Sequence, residues 1–599
     1  MTQLSKLGVC LVCSLSLGCG GPVPGSDAGR SPRIARYDPN HDPLVNSPRL
    51  FEPYPAHNPE VVARDETLIR YLLDEPRTLN PIFAIFREDH YLSWALFDRL
   101  VTRDATMKPI WNRSMVEHAE FSPDHTRATI RLRPGLRWHD GVALSAHDVR
   151  FTWQAVNDDS VPAAGYKHGM AKVTDVEVFD DRNLVVHFLE SDVTNIIALM
   201  CPPIPRHIWD NARELANDPT LRSSEYHNHW AREEVVGSGP MRFVEWVPKD
   251  KVVVERWDDH PDRARTSPFK RILFRAQPDR NLGLLLFKKG ELDEYWMTPQ
   301  QFATQSNDEE FAKIGLKGWA PARRIGRIAL NQDGSNPFFA DVRVRRAMAH
   351  AYDMDRVLKD VTYNLYVPSK GIFDPQHLGY NPEVGRLEFD LEKAAVLIED
   401  AGWLTSKDDG WRYKEIDGQQ VRFTFELEMA QTYVDAVRMA NIYREDLRRV
   451  GVEMTTRIAE NATHETHLQN HEFQAAADAD EVTTDPDQWS IRLKTESYDT
   501  GRNYTGYSNP EVDRLFAAGR TAFDPEKRRE IYREIHRLTY EDQAYMMMWN
   551  YTEIRAYSKR LRGIELAPSG SFLFQATPPP DTDWWTSPGW WVHVEDVRP

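Results

Sequence analysis

The chain has 599 residues, which at ~100 to 200 residues per domain means several lobes with ample core and excludes a small stapled scaffold. Its 74 Lys and Arg against 91 Asp and Glu leave a formal charge of −17, and no long basic stretch stands out, so nucleic acid is not an expected partner. A hydrophobic content of 41% is ordinary for a globular protein, whereas 18 Trp is generous and makes some indoles candidates for more than core filling.

In chain order, the N-terminus reads "MTQLSKLGVCLVCSLSLGCGG": Lys6 precedes an apolar run from Leu7 to Leu17 that is too short to span a bilayer. The run has the length and flanks of a secretory signal. Two readings stand: a signal over residues 1–18 that resembles a bacterial lipoprotein signal, which implies lipidation of Cys19, or a plain signal peptide cut nearby, with Cys19 lost or idle. Of the 4 cysteines only Cys201 lies in the body, where "ALMCPPIP" predicts a small buried hydrophobe without a disulfide partner. Residues 19–65 are dense in Pro, Gly, Asn and Asp without apolar period, and predict a disordered tether.

From Glu66 a short strand, a Pro-containing loop and an amphipathic helix carrying Leu92, Ala95 and Leu96 are expected. "RATIRL" alternates as a half-buried strand does, Pro134 and Gly135 turn the chain, and Ser145 with Asp148 caps a helix through Val156. "LVVHFLE" predicts a strand, "GSGPMRFVEWVPKDKVVVERW" a loop feeding two strands, and "DVRVRRAMAHAYDMDRVL" one helix. "RFTFELEM" is a strand, "ANIYREDLRRV" a helix stopped at Gly451, and "DPEKRREIYREIHRLTYEDQ" a long helix leading to a strand at "MMMWN". Helices and strands alternate without a fixed period, which predicts α/β lobes rather than solenoids or propellers.

Signatures of enzymes are missing: there is no H-E-x-x-H, G-x-S-x-G, Walker loop or paired C-x-x-C. The "WHDG" corner at Trp138–Gly141 places Trp, His and Asp side by side, but neighbours on a tight turn point different ways and no partner motif makes them a triad. In "THETHLQNHEF" a helix would put His464, His467 and His471 along one face, readable as a metal triad or, preferably, as a solvated polar face. No metal or cofactor is expected. Between Arg457 and Arg492 there is no Lys or Arg while acids accumulate, which predicts uncompensated carboxylates suited to a cationic ligand group, beside Trp489; a solvated acidic loop is the alternative.

"LRPGLRWHDGVALSAHDVRFTWQAV", "GSGPMRFVEW", "LFKKGELD", "NPFFADVRVRRAMAHAYD", "DLEKAAVLIEDAGW" and "NYTGYSNPEVDRLFAAG" resemble, in order, the oligopeptide and dipeptide class (family 5) of extracellular solute-binding proteins of ABC transporters. The lipoprotein-like signal is a separate likeness; the family resemblance covers roughly Glu66 to Gly563. It implies a two-lobed α/β clamshell of the periplasmic-binding-protein type with an extra small domain in the first lobe. The expected divisions are a first lobe over 66–323 with the small subdomain near 101–230, a second lobe over 324–546, and a return over 547–599. It further implies a solute held in the interlobe cleft, delivery to permease transmembrane subunits and no catalysis. The expected setting is the periplasm or the outer face of the cytoplasmic membrane, with a lipid-anchored monomer.

The family's amine-binding Asp lies in a D-x-x-D-P segment, whereas here Val482 stands three residues before Asp485, and Asp480 and Asp485 become the candidates. The same resemblance places Asn503 and Tyr504 near the cleft, Phe86 and Arg87 in the loop after the first strand, and Tyr166 in a cleft-facing loop of the small domain. Peptide or a similar amine-bearing solute is the expected cargo, with an oligosaccharide, nickel or haem on the same scaffold, or a sensory role, as alternatives. The Trp pairs at Trp584, Trp585, Trp590 and Trp591 receive no role.

Overall fold

A computed structural model describes residues 60–103, 109–159, 161, 163–209, 235–262, 266–375, 377–481, 485–564 and 590–598. The signal, Cys19, the tether as far as residue 59, Trp584 and Trp585 lie outside the described residues; the tether's expected last residues, 60–65, are instead packed on the body, with Val62 buried and bridged to His593.

The first lobe is built on a four-stranded sheet. Strand β1 (Thr67–Leu72) feeds helix α1 (Arg87–Leu96) and pairs in parallel with a strand far along the chain. Between them comes the small subdomain: β2 (Val116–Phe121), β3 (Arg127–Leu132), α2 (Ala146–Asn157), α3 (Ala164–Met170), β4 (Val173–Val178) and β5 (Asn183–Phe188). Its antiparallel sheet runs β2-β3-β5-β4. As expected, Ser145 starts α2, and Asp148 accepts the Ser145 amide at 2.8 Å.

The chain then returns through β6 (Met241–Val247), β7 (Lys251–Arg256) and β8 (Arg271–Ala276), completing the order β1-β8-β7-β6. Close packing explains the "GSGP" stretch that feeds β6. The amides of Ser238 and Gly239 both cap α1 through the Leu96 carbonyl, at 3.0 and 2.9 Å, and a Cβ on Gly237 would stand 1.9 Å from that oxygen.

After α4 (Arg280–Lys288) and the short β9 (Glu294–Trp296), the 16-residue strand β10 (Gly315–Leu330) crosses to the second lobe. There follow β11 (Thr424–Ala430), α5 (Val434–Arg449), β12 (Glu453–Ala459), α6 (Asn461–Gln469), β13 (Ala475–Glu481), α7 (Pro510–Arg520) and α8 (Pro525–Glu541), and β14 (Met546–Ser558) crosses back. Their sheet runs β9-β14-β10-β13-β11-β12, with β11 parallel to both β12 and β13. Strands β10 and β14 pair along their length except for register shifts between Pro321 and Ile325 and again before Arg327. Such irregularities interrupt the ladder where the two lobes meet, the place at which a sheet bends most readily.

One large core spans both sheets. A second, around Trp489, Leu515, Phe516, Tyr532 and Tyr545, ties α7 and α8 to the second lobe. The single helix expected over "DVRVRRAMAHAYDMDRVL" is instead two, Val342–His350 and Met354–Asp360, because Asp353 caps the second by accepting the Arg356 amide at 2.9 Å.

Candidate functional site

In α/β sheets, ligands collect beyond the carboxyl ends of parallel strands. Here the ends of β1 and β8 in the first lobe, and of β11 in the second, supply the loops around 73–86, 277–280 and 431–433. The floor between them is the crossing pair β10 and β14.

On that floor aromatic rings surround a few charges. The Arg324 guanidinium lies over the Tyr551 and Tyr433 rings, at 4.8 and 5.5 Å, and donates to the Tyr433 hydroxyl at 3.3 Å. The Tyr366 ring packs 4.8 Å from that of Tyr551, and its hydroxyl donates a long 3.4 Å bond to Asp435 Oδ2. Asp435, in the first turn of α5, is half-buried, and burial pushes its carboxyl up to about 6 against the opposing pull of the Tyr366 hydroxyl, Arg438 and Arg280. Arg280 belongs to the first lobe, opening α4 there, and its Nη1 donates to the Trp296 carbonyl at 2.9 Å. The charge of this first-lobe guanidinium thus bears on an acid of the second lobe.

The first-lobe wall is organised by Asp89. Buried at the start of α1, it accepts the amides of Arg77 (2.7 Å), Thr78 (3.3 Å), Ile85 (3.3 Å) and Phe86 (3.1 Å), so one carboxylate shapes the whole loop after β1. Phe86 remains 37% exposed there, with the Arg77 guanidinium 4.2 Å from its ring centre. Arg87 pairs with Glu88 at 2.8 Å and lies 4.7 Å over the Trp296 ring. Tyr166 is half-buried in α3 and meets the edge of His90, whose imidazole burial pulls down to about 4.

Several expected residues stand elsewhere. Four of the carboxylates before Trp489 are compensated, by arginines at the edge of the stretch or from other parts of the chain. Asp480 pairs with both Arg327 and Arg492, Asp478 pairs with Arg327 at 2.6 Å, Asp485 caps a short 3₁₀ turn and pairs with Arg528 at 2.9 Å, and Asp487 pairs with Arg520 at 3.0 Å. Burial would raise the Asp480 carboxyl, but Arg327 and Arg492 outweigh it and hold it low.

Trp489 and Tyr504 are buried in the second core, and Asn503 is buried beside them with its amide spent on the Lys494 and Tyr507 carbonyls at 3.1 and 2.8 Å. These three side chains are scaffold rather than cleft surface.

The histidines form neither a metal triad nor a solvated face. His464 is buried against Glu428 at 2.7 Å, His467 meets the same carboxylate at 3.0 Å, and His471 lies past the helix with φ 60°, stacked on Tyr498. In the "WHDG" corner Trp138 is buried, His139 accepts the Gly237 amide at 3.1 Å, and Asp140 faces His207 at 2.6 Å. The corner is a brace without a shared reaction centre.

Tyr366, Tyr433, Asp435, Tyr551, Arg280 and Arg324 were not among the expected site residues. The helix expected from Ala440 begins at Val434, which puts Tyr433 and Asp435 just past the carboxyl end of β11. That position was a usable signal, but the parallel pairing that gives it meaning is made with strands read separately.

The model for bacterial extracellular solute-binding proteins, family 5 Middle, matches residues 111–501. Among similar proteins, the oligopeptide-binding protein AppA of Bacillus subtilis is 24% identical over 83% of this chain and 88% of its own. The dipeptide-binding protein of Escherichia coli is 22% identical over 80% and 91%. Among solved structures, AppA of Bacillus subtilis with a nonapeptide superposes with a TM-score of 0.73 at 22% identity, covering 88% of this chain and 99% of that one. NikZ of Campylobacter jejuni with Ni(L-His) gives 0.71 at 20% identity, with the same 88% and 99% coverage. The two-lobed fold with its extra subdomain agrees with these neighbours, and the chain belongs to the bacterial extracellular solute-binding proteins of family 5, receptors rather than enzymes.

Proposed function

We propose that this receptor holds short peptides in the interlobe cleft by their charged ends and hands them to the transmembrane subunits of an ABC importer. The observation that carries this reading is the partly accessible Asp435 among tyrosines, with the first-lobe Arg280 charge bearing on it. Asp435 keeps accessible surface and receives one long hydrogen bond from Tyr366, so an ammonium group offers it a better partner than it has. Arg280 offers the first lobe's guanidinium to a carboxylate. Phe86, Arg87 and Tyr166 supply apolar and cationic wall for side chains between the two ends. The names of relatives, which include oligopeptide- and dipeptide-binding proteins, support the same class of cargo.

Closing the cleft from 1:99 to 99:1 takes ~5.5 kcal/mol of differential affinity, which a ligand bridging both lobes supplies and a ligand touching one does not. In this reading residues 66–323 with the return segment 547–599 move as one body against 324–546. The chain works as a monomer, held to the membrane through lipidated Cys19 and the tether of residues 19–59.

Native mass spectrometry after incubation with a tryptic digest of casein is expected to show one peptide retained per chain. Retention of no peptide would reject the cargo assignment. Replacing Cys19 by Ala is expected to release the protein from the membrane fraction; unchanged sedimentation would place the anchor elsewhere.

A further inference from the structure

The lobes touch at a second place, away from the cleft, where the turn after β5 and the β2–β3 turn of the small subdomain reach α7 and the start of α8. The Val193 amide donates to the Arg520 carbonyl at 2.9 Å. Arg520 is the last residue of α7, so this carbonyl is one of those a helix end leaves without an intrahelical partner, and a first-lobe amide satisfies it. Beside it, the His125 ring lies 4.5 Å from Phe523, an otherwise exposed aromatic just past α7, and stacks at 4.9 Å on Phe121 behind it.

The local sequence builds this presentation. Ser122 and Asp124 tie the tight turn "SPDHTR" together, and His125 takes the left-handed φ of 53°. Charges at the same contact complement one another. Asp192, buried and paired with Lys172 at 2.6 Å, belongs to the first lobe, and Arg520, paired with Asp487, to the second. Burial alone would lower the Arg520 guanidinium; Asp487 and Asp192 together outweigh it and raise it.

We infer that the contact of Val193 and His125 with Arg520 and Phe523 is a latch that sets solute affinity from outside the cleft by holding the lobes closed. The groups it joins sit on opposite sides of the β10–β14 crossing, so rotation about that crossing breaks the amide–carbonyl bond and the ring contact together. The energy they contribute favours the closed form whatever the cargo, and the inference does not rest on the peptide reading.

The test uses the full chain without added solute. Phe523→Ala removes the exposed ring, and His125→Asn removes the imidazole while keeping a residue that tolerates left-handed φ. Small-angle X-ray scattering is expected to show a larger radius of gyration for each variant at an unchanged far-UV spectrum. Hydrogen exchange at the Val193 amide is expected to accelerate by about 2- to 10-fold, the range for loss of one aromatic pair. Scattering superimposable on wild type in both variants, whether or not Val193 loses protection, would overturn the latch.

Discussion

Asp435 and Asp480 show how far one acid's neighbours decide its use. Asp480 is held between Arg327 and Arg492 and has its charge answered from within the protein. Asp435 has the weak Tyr366 contact and a carboxyl pushed up to about 6 from 3.8, chiefly by burial. An acid whose pKa is higher folded than unfolded binds its proton more tightly in the native state. Its contribution is therefore fully present below the unfolded value and is lost as pH rises through that window. Asp435→Asn is expected to raise stability by about 1–3 kcal/mol at pH 7 and to leave it nearly unchanged near pH 4, read as thermal or denaturant midpoints at both values. Equal effects at the two pH values would mean that Asp435 is not strained by its charge. In the same window an ammonium-bearing ligand must displace the proton, so affinity is expected to fall as pH drops below about 6.

At the scale of elements, the quoted motifs were legible because they are scaffold. In "NPFF", Asn336 Oδ1 accepts the amides of Phe338 and Phe339 at 3.0 and 3.3 Å, and Asp341 starts the following helix by accepting the Arg343 amide at 2.9 Å. In "NYTGYSN", Asn503 and Tyr507 tie the turn to Lys494 and Asp542, and Gly506 at φ 69° leaves no room for a Cβ beside Asp333. Caps, turns and alternation act over a few residues, so a single stretch reveals them. The candidate site is assembled from β8, β10, β11 and β14 and from the segment holding Tyr366, which are far apart in sequence. The same distance hid the compensation of the acidic stretch. A window lacking Lys and Arg says nothing about Arg327 on the neighbouring strand β10, or Arg520 and Arg528 on α7 and α8.

For the whole molecule, the two ends of the described body close on each other. The Ala63 amide donates to the Val592 carbonyl at 2.9 Å, and Trp590 packs against Tyr557 with Arg70 5.1 Å from its ring centre. Arg598 reaches Asp293 at 2.9 Å. Trp590, without a role from sequence, thus closes the first lobe where the tether enters it. The proposed cleft lies between lobes joined by an irregular pair of strands, with Asp435 in the second lobe and Arg280 in the first. The most direct test of the account is calorimetric titration of peptides retained from the casein digest, resynthesised with free ends, N-acetylated or C-amidated, into wild type, Asp435→Asn and Arg280→Gln. Each cap is predicted to cost wild type at least about tenfold in affinity, ~1.4 kcal/mol. Acetylation should cost nothing further in Asp435→Asn, nor amidation in Arg280→Gln. Equal binding of capped and free peptides by wild type would contradict the claim that this receptor recognises its cargo by charged ends.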